Sequence, residues 1–293
     1  MTIKAGVIGW PVAHSLSPVL HGYWLKQYGI DGSYEKIAAP PEKFAEEIAR
    51  LRADGYAGVN VTVPHKEAAF ELANSKGQGA RATGAANLLV FMKDGRIVAE
   101  NTDGVGLVDS LEQEPGGLGG KLLGGRNVVV LGAGGAARGI VEALCGRSVA
   151  KITVLNRHAE RAAQLVERAS PNRTNVKFEA GALTDWEGAA NEAWLVINTT
   201  SAGMKGNPPL DLDLSILPKD ATVCDIVYNP LETPLLRDAK TRRLHAIDGL
   251  GMLMHQAAPS FQAFFYPHLV LPPTPKVTRE LRERLEKELK SRG

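Results

Sequence analysis

Short apolar runs recur along this chain, and most are followed by a stretch with helical spacing. Residues 4–8, 33–38 and 58–63 read as strands, the last ended by Pro64. Between them, Ser17-Pro18 reads as an N-cap and N1 pair opening a helix to about Gln27. Residues 41–52 put Phe44, Ile48 and Leu51 on one face of a second helix. Residues 86–92 and 97–100 flank Lys93-Asp-Gly-Arg96, where Asp-Gly suits a primed turn, and predict a hairpin.

The sharpest pattern is Val128-Val-Val-Leu-Gly132-Ala-Gly134-Gly135-Ala-Ala137-Arg138, a buried strand that turns through glycines into a helix. Gly132 permits the tight turn, and Gly134 lets the backbone approach a pyrophosphate. Ala137 is the small residue where helix packs on strand. The helix offers free N–H groups and a positive dipole end to phosphates. Ile140, Val141 and Leu144 continue an apolar face, and residues 151–155 read as the next strand, completing a βαβ unit. A glycine turn alone is also compatible with a plain strand–helix joint; the surrounding unit favours a dinucleotide. An NAD enzyme usually carries Asp or Glu about 20 residues after the glycines, to bond the ribose 2′-OH. Here Asn156-Arg157-His158 stands there, with Arg161 one turn on. No carboxylate repels a 2′-phosphate and Arg157 can grip one, so the expected cofactor is NADP(H).

Further strands are expected near residues 176–179, 194–198, 222–226 and 244–247. Helices alternate with several of them, which favours a mostly parallel sheet. The glycine-rich stretch from Glu114 to Gly125 reads as a flexible linker into the cofactor domain. After Asp248-Gly249 the pattern turns helical, and from Thr278 a charged tail carries Leu281, Leu285 and Leu289 at spacing four. The last residues are expected to cross back onto the N-terminal domain. The fold class is therefore α/β in two domains. Residues 1–103 plus 249–293 form an α/β substrate-binding and catalytic domain completed by C-terminal helices. Residues 104–248 form a Rossmann-like, doubly wound NADP-binding domain.

Composition narrows the partners. The 293 residues suffice for two cores, and a net charge of +2 gives no strong field toward nucleic acid. Cys145 and Cys224 supply neither a disulfide framework nor metal spacing and read as reduced core cysteines. The N-terminus lacks a signal-peptide core, and no apolar stretch reaches about 18 residues. The expectation is a cytoplasmic protein, monomer or homodimer, bound to no membrane and no metal.

Several segments place polar residues where structure alone does not need them. Ser15 and Ser17 follow the first strand, where open sheets form ligand sites. Asn60 and Thr62 share one side of a strand, and Lys66 opens a helix, which the helix dipole disfavours. Asn87, Asn101-Thr102-Asp103, Asn198-Thr199-Thr200-Ser201 and Asp225-Ile226-Val-Tyr228 follow, then Gly249-Leu-Gly251-Met252-Leu-Met-His-Gln256. Asp103 is equally readable as a helix cap, Ser17 likewise, and Lys66 as a surface lysine.

Taken together, in order and spacing, these runs resemble the shikimate dehydrogenase family over nearly the whole chain. The matching runs are Ser15-Leu-Ser17, Asn60-Val-Thr-Val-Pro-His-Lys66, Asn101-Thr-Asp103-Gly, the glycine turn, Asn156-Arg157, Asn198-Thr-Thr-Ser-Ala-Gly-Met204, Tyr228-Asn-Pro230 and the 249–256 run. The resemblance implies NADPH-linked reduction of 3-dehydroshikimate to shikimate, a step toward chorismate and the aromatic amino acids. It implies that Ser15 and Ser17 hold the substrate carboxylate. Thr62, Asn87, Asp103 and Gln256 would bond the ring hydroxyls with Tyr228 nearby, and Lys66 and Asp103 would be the acid–base pair. The implied cofactor set is Gly132, Ala133, Gly134, Gly135, Ala136, Asn156, Arg157, Thr199, Ser201 and Ile226, with Gly249 and Met252 on the nicotinamide side. The chain departs from the family's usual Asn-Thr at Asn87-Leu88 and from its usual Asn-Arg-Thr at Asn156-Arg157-His158. The second departure removes a hydroxyl from the expected 2′-phosphate contacts, where His158 offers a pH-dependent one.

Charge develops on a carbonyl oxygen when hydride adds to its carbon, and an ammonium there both stabilises that charge and supplies the proton. Lys66 suits both tasks, and Asp103 would orient it. The rival readings are a quinate/shikimate dehydrogenase of broader substrate or NAD use, a non-catalytic NADP-binding regulator, and a two-domain dehydrogenase acting on a folate. Ser17 in place of a bulkier threonine speaks against the first, Lys66 with Asp103 against the second, and the paired serines with Gln256 against the third.

Overall fold

A computed structural model describes residues 2–113, 116–171, 173–266 and 273–292. The chain divides into two compact units, Met1–Asp103 with Leu253–Gly293, and Gly104–Met252. The second division falls after Met252, within a helix, and not after Asp248 as the sequence suggested.

The first unit is built from β1 (Ile3–Gly9), α1 (Ser17–Gln27), β2 (Gly32–Ala38), α2 (Phe44–Ala53), β3 (Tyr56–Val61), α3 (Lys66–Leu72), β4 (Ser75–Lys76), α4 (Gln78–Thr83), β5 (Leu88–Phe91) and β6 (Ile97–Glu100). Its sheet runs β2-β1-β3-β5-β6-β4. β1 pairs parallel with β2 and β3, whereas β5 runs antiparallel to both β3 and β6. This sheet is mixed because the Asp-Gly hairpin reverses the chain between β5 and β6. Phe44, Ile48 and Leu51 of α2 pack on Ile8, Ile37, Val59, Val61 and Leu89. Residues 41–43 form a separate 3-10 turn ahead of α2. Ser17 is not the cap of α1: Leu16 holds that position, and the Ser15 hydroxyl oxygen accepts from the Ser17 N–H at 3.2 Å.

The second unit continues with α5 (Asp103–Gln113, whose first residue belongs to the first unit), β7 (Asn127–Leu131), α6 (Gly135–Cys145), β8 (Lys151–Asn156), α7 (Ala159–Ala169), β9 (Lys177–Ala182), α8 (Trp186–Ala190), β10 (Leu195–Asn198), β11 (Thr222–Asp225), α9 (Pro234–Thr241) and β12 (His245–Ile247). Every pairing in the order β12-β11-β10-β7-β8-β9 is parallel. The chain enters at the centre, runs out to β9, and returns through β10 to the other edge. The reversal point lies between β7 and β10. Both faces are covered, so the central strands carry apolar residues at successive positions. Val128, Val130, Ile152 and Ile197 face one core; Val129, Leu131, Leu155 and Val196 face the other. The expected linker is not free chain. Leu118 and Leu123 are buried in this core and the Leu118 N–H donates to Leu111 O at 2.7 Å, while Glu114 and Pro115 lie outside the described residues.

The chain then forms α10 (Leu250–Phe265) and α11 (Arg279–Ser291). Leu281 and Leu285 are fully buried and Leu289 half-buried, with α11 packed on α1. The Trp24 indole N–H donates to Lys276 O at 3.0 Å and the Lys276 N–H to the Tyr28 hydroxyl at 3.0 Å. No helix among the described residues is long and apolar enough to cross a membrane.

His21 of α1 sits in an aromatic cage of Trp24, Phe261, Phe264 and Phe265, stacked on Tyr34 at 3.9 Å and 5°. It is fully buried, and neither ring nitrogen has a partner among the described residues. Burial pushes its pKa down to about 3. The unfolded chain therefore binds an extra proton between that value and about 6.5, and stability falls by a few kcal/mol as pH drops through this window. His21→Phe is expected to remove this part of the acid sensitivity and to spare two unsatisfied nitrogens, a gain of about 1–3 kcal/mol. Denaturant unfolding of both proteins between neutral pH and pH 4 checks it: parallel curves refute the assignment.

Candidate active site

The first unit gathers a polar network at the ends of β3, β5 and β6. Lys66 is the first residue of α3, fixed by the turn before it: His65 is buried, stacked on Phe44 at 4.7 Å and bonded to Ala39 O at 2.8 Å. The Lys66 Nζ donates to Asp103 Oδ2 at 2.5 Å, with the two side chains 19% and 6% exposed. The helix-cap reading of Asp103 fits less well, since both carboxylate oxygens are taken by side chains. Oδ1 accepts from the Asn87 amide at 2.9 Å. That amide also faces Thr102 Oγ1 at 2.9 Å and Gln256 Oε1 at 3.2 Å, while Asn87 Oδ1 accepts from the Thr102 N–H at 2.9 Å. The Thr102 hydroxyl donates to Gln256 O at 2.9 Å. Residues far apart in sequence thus converge on one ammonium–carboxylate pair.

A second layer supports it. The Asn60 amide donates to Asn87 O at 3.1 Å and to Ser260 Oγ at 2.7 Å, while its carbonyl accepts from the Tyr34 hydroxyl at 2.7 Å. Ser17 and Tyr34 are both buried, and burial holds the Tyr34 phenol well above the usual tyrosine range while Ser17 pulls it down. The Ser15 oxygen accepts from the backbone, which leaves its proton to donate outward. Thr62 follows β3 half-buried, its methyl against Gly9. Tyr228 follows β11, half-buried, in the second unit.

The second unit carries the glycine turn. Gly132 has φ 106° and donates to Leu155 O at 2.7 Å. A Cβ there would lie 2.6 Å from Thr199 Oγ1 and 3.0 Å from Thr200 Cγ2. Gly134 precedes α6, is exposed, and has open space where a side chain would stand. Ala133, Gly135 and Ala136 are half-buried, and Ala137 is fully buried. A cavity of about 350 Å³ lies alongside, lined by Gly132, Asn156, Arg157, His158, Arg161, Thr200, Ser201 and Asn207, among others. Among the described residues no carboxylate pairs with Arg157 or Arg161. Two unneutralised cations and a bare helix N-terminus around one cavity suit the phosphates of a dinucleotide.

The wall of that cavity is held from behind. Buried Asp225 accepts from Asn198 Nδ2 at 2.9 Å, from the Val227 N–H at 3.1 Å and from the Thr233 hydroxyl at 2.7 Å. Asn198 Oδ1 accepts from the Thr200 N–H at 3.0 Å and its hydroxyl at 2.7 Å. Burial raises the Asp225 pKa to about 6 against these three donors. Thr199 donates to Leu131 O at 2.7 Å. Gly249 lies against the Ile226 backbone, too close for any Cβ, and Met252 is buried in the core of this unit. Gly132→Ala is expected to displace Thr199 and weaken dinucleotide binding at least roughly tenfold, since a non-glycine residue is strained at this φ as well as crowded. Titration of intrinsic fluorescence with NADPH measures it; unchanged affinity contradicts it.

The sequence reading singled out the residues of both networks but missed the parts played by Tyr34, Thr102 and Ser260. A tyrosine in a strand and a serine in an apolar helix carry no local signal of a buried hydrogen bond. Among the described residues no group of three or more His, Cys, Asp or Glu is placed to share a metal ion.

The family model for the shikimate dehydrogenase substrate-binding domain matches residues 7–89, and that for shikimate/quinate 5-dehydrogenase matches residues 119–205. A shikimate dehydrogenase (NADP(+)) of Methylobacterium radiotolerans is 47% identical over 291 residues, covering 98% of each chain. Among solved structures, shikimate 5-dehydrogenase from Thermus thermophilus, in complex with NADP(H) and shikimate, is 32% identical, with a TM-score of 0.80 over 99% of each chain. Quinate dehydrogenase from Corynebacterium glutamicum, in complex with NAD, is 28% identical, with a TM-score of 0.83 over 99% of each chain. With both family models matched and near-full-length relatives at this identity, the chain belongs to the shikimate dehydrogenase family.

Proposed function

We propose that this chain catalyses the reversible NADPH-dependent reduction of 3-dehydroshikimate to shikimate, with Lys66 and Asp103 as its acid–base pair. The observation that carries the reading is the Lys66–Asp103 contact of 2.5 Å, tied through Asn87 to Gln256. Near-full-length relatives named for this activity support it. The glycine turn, Arg157 and Arg161 would hold NADPH, which would supply the hydride when bound. Lys66 Nζ stabilises the negative charge that grows on the carbonyl oxygen and gives that oxygen its proton. Asp103 holds the ammonium in place and, with Asn87 and Gln256, bonds the ring hydroxyls. Ser15 and Ser17 receive the carboxylate.

The first unit is the substrate-binding and catalytic part and the second the NADP-binding part. The protein works in the cytoplasm, where Cys145 and Cys224, both buried and unbridged, stay reduced. It acts as a monomer or homodimer. The test is a spectrophotometric assay of the reduced nicotinamide, crossing shikimate and quinate with NADP+ and NAD+. Turnover with shikimate and NADP+ well above the other three combinations is expected. Preference for quinate or for NAD+ refutes the assignment.

A further inference from the structure

The structure leaves unexplained why two cations crowd the backbone of residues 13–15, a loop with no acidic side chain. Lys36 Nζ, on β2, donates to Ala13 O at 2.5 Å. Arg292, at the C-terminal end of α11, donates from Nη1 to His14 O at 3.2 Å and to Ser15 O at 3.4 Å. Arg292 is fixed by Glu288 one turn earlier, at 2.9 Å, and is only 25% exposed. The two cations feel each other: partial burial first, then Arg292, lowers the Lys36 pKa, and Glu288 partly offsets this.

We propose that Lys36 and Arg292 are positioning residues that clamp the Ser15 loop for recognition of a carboxylate substrate. α11 ties down both ends of α1. The chain just before α11 bonds Trp24 and Tyr28 near the C-terminal end of α1, and Arg292 reaches the loop that leads into its N-terminus. Buried Leu281 and Leu285 fix the helix between these points. The loop carbonyls are turned onto the cations, so the Ser15 hydroxyl keeps its proton for a ligand oxygen. The pair also adds positive potential beside an anion site, with one carboxylate, Glu288, against two cations. This rests on the reading that Ser15 and Ser17 hold the substrate carboxylate.

The test is steady-state kinetics on Arg292→Ala, Lys36→Met and Arg292→Lys, beside Ser15→Ala and Ser17→Ala as controls. Arg292 ends a surface helix, so its loss is expected to leave the thermal midpoint nearly unchanged. Each cation-removing variant is expected to raise KM for shikimate roughly three- to tenfold, the scale of one hydrogen bond to a charged group, with kcat and KM for NADP+ unchanged. Arg292→Lys restores most of the loss. Inhibition by the uncharged carboxamide of shikimate moves little in the same variants. If the serine variants raise KM for shikimate and the cation variants do not, the clamp is refuted and the carboxylate reading stands. If the serine variants leave KM unchanged, both fall together. Equal rises in KM for shikimate and NADP+ also refute the clamp.

Discussion

Lys66→Ala lowers kcat for shikimate oxidation by on the order of 10²–10⁴, the usual share of a positioned acid–base group. NADPH affinity stays nearly unchanged, because the residues that line the cofactor cavity all belong to the other unit. The lysine is mostly buried and Asp103 almost wholly so, so the substitution also strands a carboxylate whose remaining side-chain partner among the described residues is Asn87. That cost is expected in the melting temperature and must be separated from catalysis. Lys66→Met keeps most of the packing volume and still lacks the proton. Both variants should therefore share the kcat loss while differing in stability. Rapid-quench or stopped-flow turnover with saturating ligands reads the chemical step. Near-normal turnover in either variant removes Lys66 from the mechanism.

Arg157→Ala is expected to weaken NADPH binding by roughly ten- to a hundredfold and NADH binding hardly at all. A guanidinium–phosphate contact is a charge-assisted bond worth about 1.5–3 kcal/mol, and NADH lacks the 2′-phosphate that receives it. Arg161 lines the same cavity from the first turn of α7, so the double variant should lose more than either single one, though less than the sum of both. His158 also lines the cavity, so His158→Ala should weaken NADPH more than NADH, by less than the loss of Arg157. Calorimetric titration of both nucleotides against wild type and variants measures all three effects. If Arg157→Ala weakens the two nucleotides equally, its partner is not the 2′-phosphate.

Much of the second unit was legible because its strands are buried on both faces. Runs such as 128–131 or 195–197 leave no polar position to confuse the period, and the glycines mark where the first strand stops. The first unit was harder. α3 and α4 are seven and six residues long, too short for a helical period to emerge, and β4 has two. The Ser17 cap was misplaced because α1 starts one residue earlier than the motif suggests: Leu16 takes the cap position and Ser17, already in the helix, gives its N–H to Ser15. At the site, the identity of Lys66 and Asp103 was legible from the family resemblance, while their contact spans 37 positions that no local pattern encodes. Tyr34, Ser260 and Arg292 act over separations of 26, 200 and 278 residues, and only the fold reveals them.

The first unit takes its material from both ends of the chain, and this sets an order for biosynthesis. A ribosome that has reached Met252 has already delivered all six parallel strands, but Gln256, Ser260, the three phenylalanines around His21 and the whole of α11 are still unmade. Asn60 then lacks its Ser260 partner, Asn87 its Gln256 partner, and Trp24 the ring of Phe261. Nascent protein at that stage exposes apolar surface in its oldest part, not its newest, and it is there that a chaperone has the most to shield.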